Sequence, residues 1–96
     1  MYRRLTRFPR KPRTDVPFEE LGRKYETVLH DLPGHLSTVM QFEDDALVSL
    51  TTWDTEEHAQ AATAGARDAA SRDAADFLAG PPTTTIAPAL VHDLRG

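Results

Sequence analysis

PGHLSTVMQFEDDALVSLTTWDTEEH, residues 33–58, is the stretch whose reading decides the fold. Leu36, Thr38, Met40 and Phe42 alternate with Ser37, Val39 and Gln41, the period-two pattern of a strand. Asp44 and Asp45 make a polar turn, and Ala46 to Trp53 is a return strand rich in β-branched residues. A two-residue connection there pairs Phe42 with Leu47, Met40 with Ser49, Thr38 with Thr51 and Leu36 with Trp53. Asp54 is placed to cap the N–H groups of a following helix, with Glu57 three residues on in capping-box spacing. The hairpin's other face carries Val39, Ala46, Val48 and Leu50, so both faces are partly apolar. Helices of the same chain can cover one face. In so short a chain the expected cover for the other is a second copy of the sheet, which predicts a homodimer.

Working outward, Phe18, Leu21, Tyr25, Val28, Leu29 and Leu32 form the apolar stripe of an amphipathic helix, opened by Pro17 and stopped by Pro33-Gly34. Tyr2 to Phe8 reads as the first strand. Pro9 and Pro12 lack backbone donors, so RFPRKPR is expected to leave the sheet. Beyond the hairpin, Thr55 to Ala79 reads as a second helix with a stripe of Ala59, Ala62, Ala66, Ala69 and Ala70 ending in Phe77 and Leu78. Gly65 costs a helix about 1 kcal/mol and is expected to mark a bend or a break. Gly80-Pro81-Pro82 ends that helix, and Thr83 to His92 reads as a fourth strand, with Pro88 assigning it to an edge or a bulge. The order is β-α-β-β-α-β. This predicts an α+β, ferredoxin-like fold with a four-stranded antiparallel sheet, in one domain over residues 1–96.

Composition narrows the functions. The absence of cysteine excludes disulfides, thiolate catalysis and cysteine-ligated metals. No apolar run approaches membrane-spanning length and no signal-peptide core follows the N-terminus, so a cytoplasmic location is expected. Residues 1–14 carry Arg3, Arg4, Arg7, Arg10, Lys11 and Arg13 and no acid, while the net charge of the chain is −4. The acidic remainder would repel phosphate, and the arm has few aromatics, so nucleic acid is disfavoured as a partner. His30, His35, His58 and His92 lack metal-ligand spacing, and no phosphate loop, nucleophile elbow or dinucleotide fingerprint is present. Neither a metal nor a bound cofactor is expected.

The segments PGHLSTVMQFEDD, ALVSLTTWDTEEHAQAA and FLAGPPTTT together resemble the antibiotic-biosynthesis-monooxygenase group of dimeric α+β barrel proteins. In that group a strand ending in Trp runs into an acidic helix start and an alanine-rich helix. The resemblance implies a dimeric barrel and a cofactor-independent oxygenase, or a related enzyme, acting on a hydrophobic aromatic or polyketide-type molecule. Its haem-degrading members use a first-strand Asn and a His about ten residues after the Trp. This chain has no Asn and carries Thr63 there, which points away from haem. The polyketide-oxidising members also use an Asn, so only Trp53 carries over by position. A non-oxidative cyclase or isomerase, and a non-catalytic ligand-binding or partner-docking protein, stay open as alternatives.

The candidate residues follow. Trp53 is suited to stacking on a flat aromatic substrate, and equally to anchoring the core. His58, five residues on, has the chemistry of a general base for a phenolic proton, or of an ordinary surface histidine. Arg7 on the first strand is suited to holding a phenolate or enolate, or to solvation. Tyr25, on the apolar stripe of the first helix, is expected in the same pocket or in the core. Met40 and Thr51 share the hairpin face of Trp53 and complete the expected substrate lining.

Overall fold

In the computed structural model, which describes residues 1–11, 15 and 17–90, the backbone alternates strand and helix as the periodicities require. The elements are β1 (Tyr2–Pro9), α1 (Phe18–His30), β2 (His35–Phe42), β3 (Ala46–Trp53), α2 (Glu56–Asp73), a 3-10 turn (Ala75–Phe77) and β4 (Thr83–Pro88). The strands form one antiparallel sheet in the order β2-β3-β1-β4. This is the ferredoxin-like α+β arrangement. β1 and β3 lie at the centre, and β4 takes the edge, where a terminal Pro88 is tolerated. The expected extension of β4 reaches Val91 and His92, which lie outside the described residues, as do Pro12 to Thr14 of the basic arm. Among the described residues no helix is long and apolar enough to cross a membrane.

The hairpin keeps the expected pairs Phe42–Leu47, Met40–Ser49 and Thr38–Thr51. Its turn is closed by the Glu43 N–H donating to the Ala46 carbonyl at 2.8 Å. The pair Leu36–Trp53 does not form. A bulge shifts the register between His35 and Ser37, so His35 stands opposite Trp53 and Leu36 is exposed. The cause lies just upstream. Gly34 adopts φ +81°, and its carbonyl accepts from the Asp54 N–H at 3.0 Å, which pins the chain one residue early.

That same bond keeps Asp54 in the hairpin and moves the helix cap on by one residue. Thr55, in extended conformation, is the N-cap of α2, and its Oγ1 accepts from the His58 N–H at 3.2 Å. α2 then runs through Gly65 without a break and stops at Asp73, short of Ala79. The stop is made by tertiary bonds. Lys11 N–H donates to the Phe77 carbonyl and Ala79 N–H to the Pro9 carbonyl, each at 2.8 Å, so the chain after α2 is drawn into extended contact with the end of β1. Pro9, at the last position of β1, offers a carbonyl there and needs no N–H.

Both helices lie on one face of the sheet. Phe8, Tyr25, Leu29 and Trp53 form the core with Ala59, Ala62, Ala66, Ala69 and Ala70 of α2. The alanine stripe brings α2 close to the sheet at little side-chain entropy cost. On the opposite face Leu5, Leu50 and Val39 are paired in register across β1, β3 and β2, and Val39 is 60% exposed.

Because α2 is continuous at Gly65, that glycine is a correctable weakness. A Cβ added there would meet only Leu32 Cδ1, at an ordinary 3.8 Å. Gly65→Ala is expected to raise stability by about 0.5–1 kcal/mol, read as a higher urea midpoint with an unchanged slope.

Candidate functional site

The register of β1 against β3 builds the sheet face that lies under the helices. Its rows run Tyr2–Trp53, Arg4–Thr51, Thr6–Ser49 and Phe8–Leu47. The outer rows are aromatic and aliphatic, whereas the middle two are polar and nearly fully buried. Arg4 is 1% exposed. Its Nε donates to Thr63 Oγ1 on α2 at 3.1 Å, and its Nη1 to the Tyr25 hydroxyl on α1 at 3.4 Å. Thr51 Oγ1 donates to the Arg4 carbonyl at 3.3 Å and accepts from Trp53 Nε1 at 2.8 Å. Thr6 pairs with Thr84 of β4 at 3.1 Å. Ser49 Oγ is buried without a hydrogen-bond partner among the described residues.

Beside the polar rows, over Phe8 and Leu47, is a small apolar cavity of about 40 Å³ closed by Leu21 and Tyr25 of α1, by Ala69, Ala70 and Ala74, and by Leu78. Tyr25 joins the two regions. Its ring stands edge-on to Phe8, with centroids 5.5 Å apart, and its hydroxyl meets Arg4.

Of the residues singled out from the sequence, Tyr25 borders this cavity. Trp53 and Thr51 are buried one end of the sheet away, bonded to each other. Met40 packs against the core from β2, its sulfur beneath Gly22 of α1. Arg7 lies on the opposite face of the sheet from all four, because it is one residue out of step with Phe8. There it pairs with Glu43 at 2.5 Å and Asp45 at 2.9 Å, and the hydrogen bond to Glu43, then that to Asp45, holds its guanidinium still more firmly charged. His58 stands at the rim, its Nδ1 2.7 Å from Asp54 Oδ1, both side chains close to half exposed. The bond to His58 lowers the Asp54 carboxyl below its ordinary value. A Cβ on Gly34 would collide with both partners, so the glycine that sets the bulge also makes room for this pair.

The residue that sequence reasoning passed over is Arg4. Its only signal is parity: Arg4 is in step with Tyr2 and Phe8, and Arg7 is not. Ser49 was read only as a partner of Met40.

His35 occupies the place expected for Leu36, its ring 5.3 Å from Trp53 and 5.9 Å from His30. Burial, and then the neighbouring His30, push its pKa below 6.5, while Glu26 and the backbone at Ser37 pull weakly the other way. Its Nε2 lies 2.6 Å from Thr38 Oγ1.

Comparisons with known proteins now bear on this geometry. No protein-family model matches the sequence, and a search of curated proteins finds no match. Solved structures do match. One is a protein of unknown function from Nitrosomonas europaea, with a TM-score of 0.80 and 18% identity over 99% of this chain and 94% of that one. Another is a provisionally assigned antibiotic biosynthesis monooxygenase from Bordetella bronchiseptica, with a TM-score of 0.74 and 10% identity over 94% and 97%. A third is SnoaB, a cofactor-independent oxygenase from Streptomyces nogalater, with a TM-score of 0.70 and 16% identity over 95% and 94%. The chain therefore has the fold of the antibiotic-biosynthesis-monooxygenase proteins. At these identities the likeness is one of fold.

The contact of His35 with Trp53 gives a direct optical test. An imidazolium beside an indole quenches it, so Trp53 fluorescence should fall on acidification with a midpoint below 6.5. The step should vanish in His35→Gln. Because the folded pKa is depressed, His35 contributes stability fully above pH 6.5, and that contribution is lost as pH falls from there through the folded value.

Proposed function

We propose that the protein is a small homodimeric enzyme that binds a hydrophobic aromatic or polyketide-type molecule between sheet and helices and oxidises it without a cofactor. The observation that carries this reading is the cavity walled by Phe8 and Tyr25, beside buried polar rows, in a fold shared with a cofactor-independent oxygenase. A phenolic proton is removed, and the resulting electron-rich carbanion reacts with O₂. One oxygen atom stays on the substrate carbon as a carbonyl, the phenolic oxygen becomes a carbonyl too, and the other oxygen atom leaves as water with that carbon's hydrogen and the phenolic proton. The protein contributes exclusion of water and fixed donors for the developing negative charge. Trp53 backs the floor of the site through Thr51. Asp54 holds His58 by Nδ1 and leaves Nε2 as the nitrogen able to take a proton. Met40 and Tyr25 line the approach.

A binding protein without turnover is the second reading, favoured by one observation: His58 and Trp53 do not border the cavity. Oxygen consumption separates the two. With a panel of hydroquinones and anthrone-type phenols, uptake above the uncatalysed rate is expected, falling at least tenfold in Trp53→Phe while the assembly persists. No uptake with any member refutes the enzyme reading.

The homodimer rests on the row Val39–Leu50–Leu5, an apolar band on the sheet face that the helices leave open. Two such faces packed together bury it and close a barrel of two sheets. Sedimentation is expected to give about twice the 10.7 kDa chain mass, and Leu50→Arg, a charge in mid-band, should give monomers. A wild-type monomer at micromolar concentration refutes the interface. A cytoplasmic location accompanies this reading.

A further inference from the structure

Arg4 is a buried cation in neutral company. At 1% exposure its donors reach, among the described residues, only the hydroxyls of Thr63 and Tyr25. Among the described residues no carboxylate lies within ion-pair distance of it, although Arg7, Arg23 and Lys24, all far more exposed, each have at least one. Removing a charge from water without a counter-charge is among the most costly acts of a small core. Packing alone would be served better by an unbranched apolar side chain of the same length.

The groups around Arg4 are also underused. The described hydrogen bonds spend two of the five guanidinium N–H donors. Tyr25 accepts from Arg4 and so keeps its own O–H to give. Ser49, fully buried and without a hydrogen-bond partner among the described residues, lies diagonally across the β1–β3 ladder from Arg4, about 7–8 Å away. Three kinds of unspent donor thus lie on adjoining rows of one buried face, and of the three Tyr25 also borders the apolar cavity over Phe8. One cation with hydroxyl donors on more than one side suits an anion with two oxygens better than a single phenolate oxygen.

We infer that Arg4, Tyr25 and Ser49 form a receptor for the carboxylate of an aromatic acid, whose ring occupies the cavity over Phe8 and Leu47. The carboxylate supplies the charge that Arg4 lacks. A cavity of about 40 Å³ is smaller than the roughly 150 Å³ that holds a benzene ring, so Tyr25 or Leu21 turns outward as the ring enters. The inference rests on reading the space between sheet and helices as a ligand site, and it holds whether or not the bound molecule is oxidised.

The test compares 2-naphthoate with 2-naphthamide, its neutral isostere, by calorimetric titration into the full-length protein. The acid is expected to bind at least tenfold tighter. Arg4→Met should abolish that preference, Arg4→Lys should keep part of it, and Ser49→Ala should weaken the acid severalfold and leave the amide unchanged. Arg4→Met without ligand should melt at or above the wild-type temperature, and naphthoate should raise the melting temperature of wild type more than that of Arg4→Met. A guanidinium that merely props the fold would give the opposite, a lower melting temperature and an unaltered preference. Equal binding of acid and amide, no binding of either, or a preference that survives Arg4→Met overturns the inference. Should Arg4→Met fail to fold, the double substitution Tyr25→Phe with Ser49→Ala takes its place, and an unchanged preference there is equally fatal. Binding is read without oxygen, so a failure of the oxygenase reading leaves this result untouched.

Discussion

The antiparallel pairing of β1 with β3 sets the side of the sheet on which every other group acts. Register Leu5–Leu50 and Phe8–Leu47 turns Tyr2, Arg4, Thr6 and Phe8 toward the helices and Arg3, Leu5 and Arg7 away from them. A slip of one residue would exchange the two sets completely. Arg7 would enter the core, where its partners Glu43 and Asp45 at the hairpin turn would be lost to it, and Arg4 would reach solvent. The ion pairs of Arg7 and the burial of Arg4 are thus two consequences of one register. The bond from Arg10 N–H to the Asp45 carbonyl, 2.9 Å, extends that register past the end of the strand.

The second determinant is the size of the side chains on α2. Ala59, Ala62, Ala66, Ala69 and Ala70 allow the helix to approach the sheet, but alanine cannot fill what a larger residue would. Towards the Trp53 end, the indole and Leu29 occupy the space fully. Towards the Phe8 end, Ala69, Ala70 and Ala74 leave the cavity that Tyr25 and Leu21 close from α1. Trp53 is therefore a foundation for the polar rows. Its indole N–H orients Thr51, and Thr51 in turn bonds the backbone of Arg4.

Much of this was legible in the sequence because its signals are local. The alternation 36–42, the acidic pair at the turn and the three-four spacing of Phe18 to Leu32 each depend on near neighbours, and the hairpin register and both helices follow from them. What was not legible depends on contacts distant in sequence. The bulge that replaces Leu36 by His35 comes from the bond between Gly34 and Asp54, 20 positions apart. The early end of α2 comes from Lys11 and Pro9. The choice between Arg4 and Arg7 was open because the first strand places apolar residues on both faces, Tyr2 and Phe8 on one and Leu5 on the other. Alternation in β1 alone cannot say which face is inside, and only β3 decides it.

The polar middle rows are hard to explain as stabilising. In a chain of 96 residues, whose expected net stability is about 5–14 kcal/mol, the central positions of the helix-covered face go to Arg4, Thr6, Ser49 and Thr51, flanked by Trp53 at one end and Phe8 at the other. The hydroxyls of Thr6, Thr51 and Thr63 are each bonded across to another element, at Thr84, the Arg4 carbonyl and the Arg4 guanidinium, so the arrangement is organised rather than accidental. The guanidinium charge and Ser49 are not balanced in this way. A core that pairs its threonine hydroxyls but leaves Arg4, its one buried cation among the described residues, with no carboxylate among them is incomplete by itself, and what would complete it is an anion brought from outside the chain.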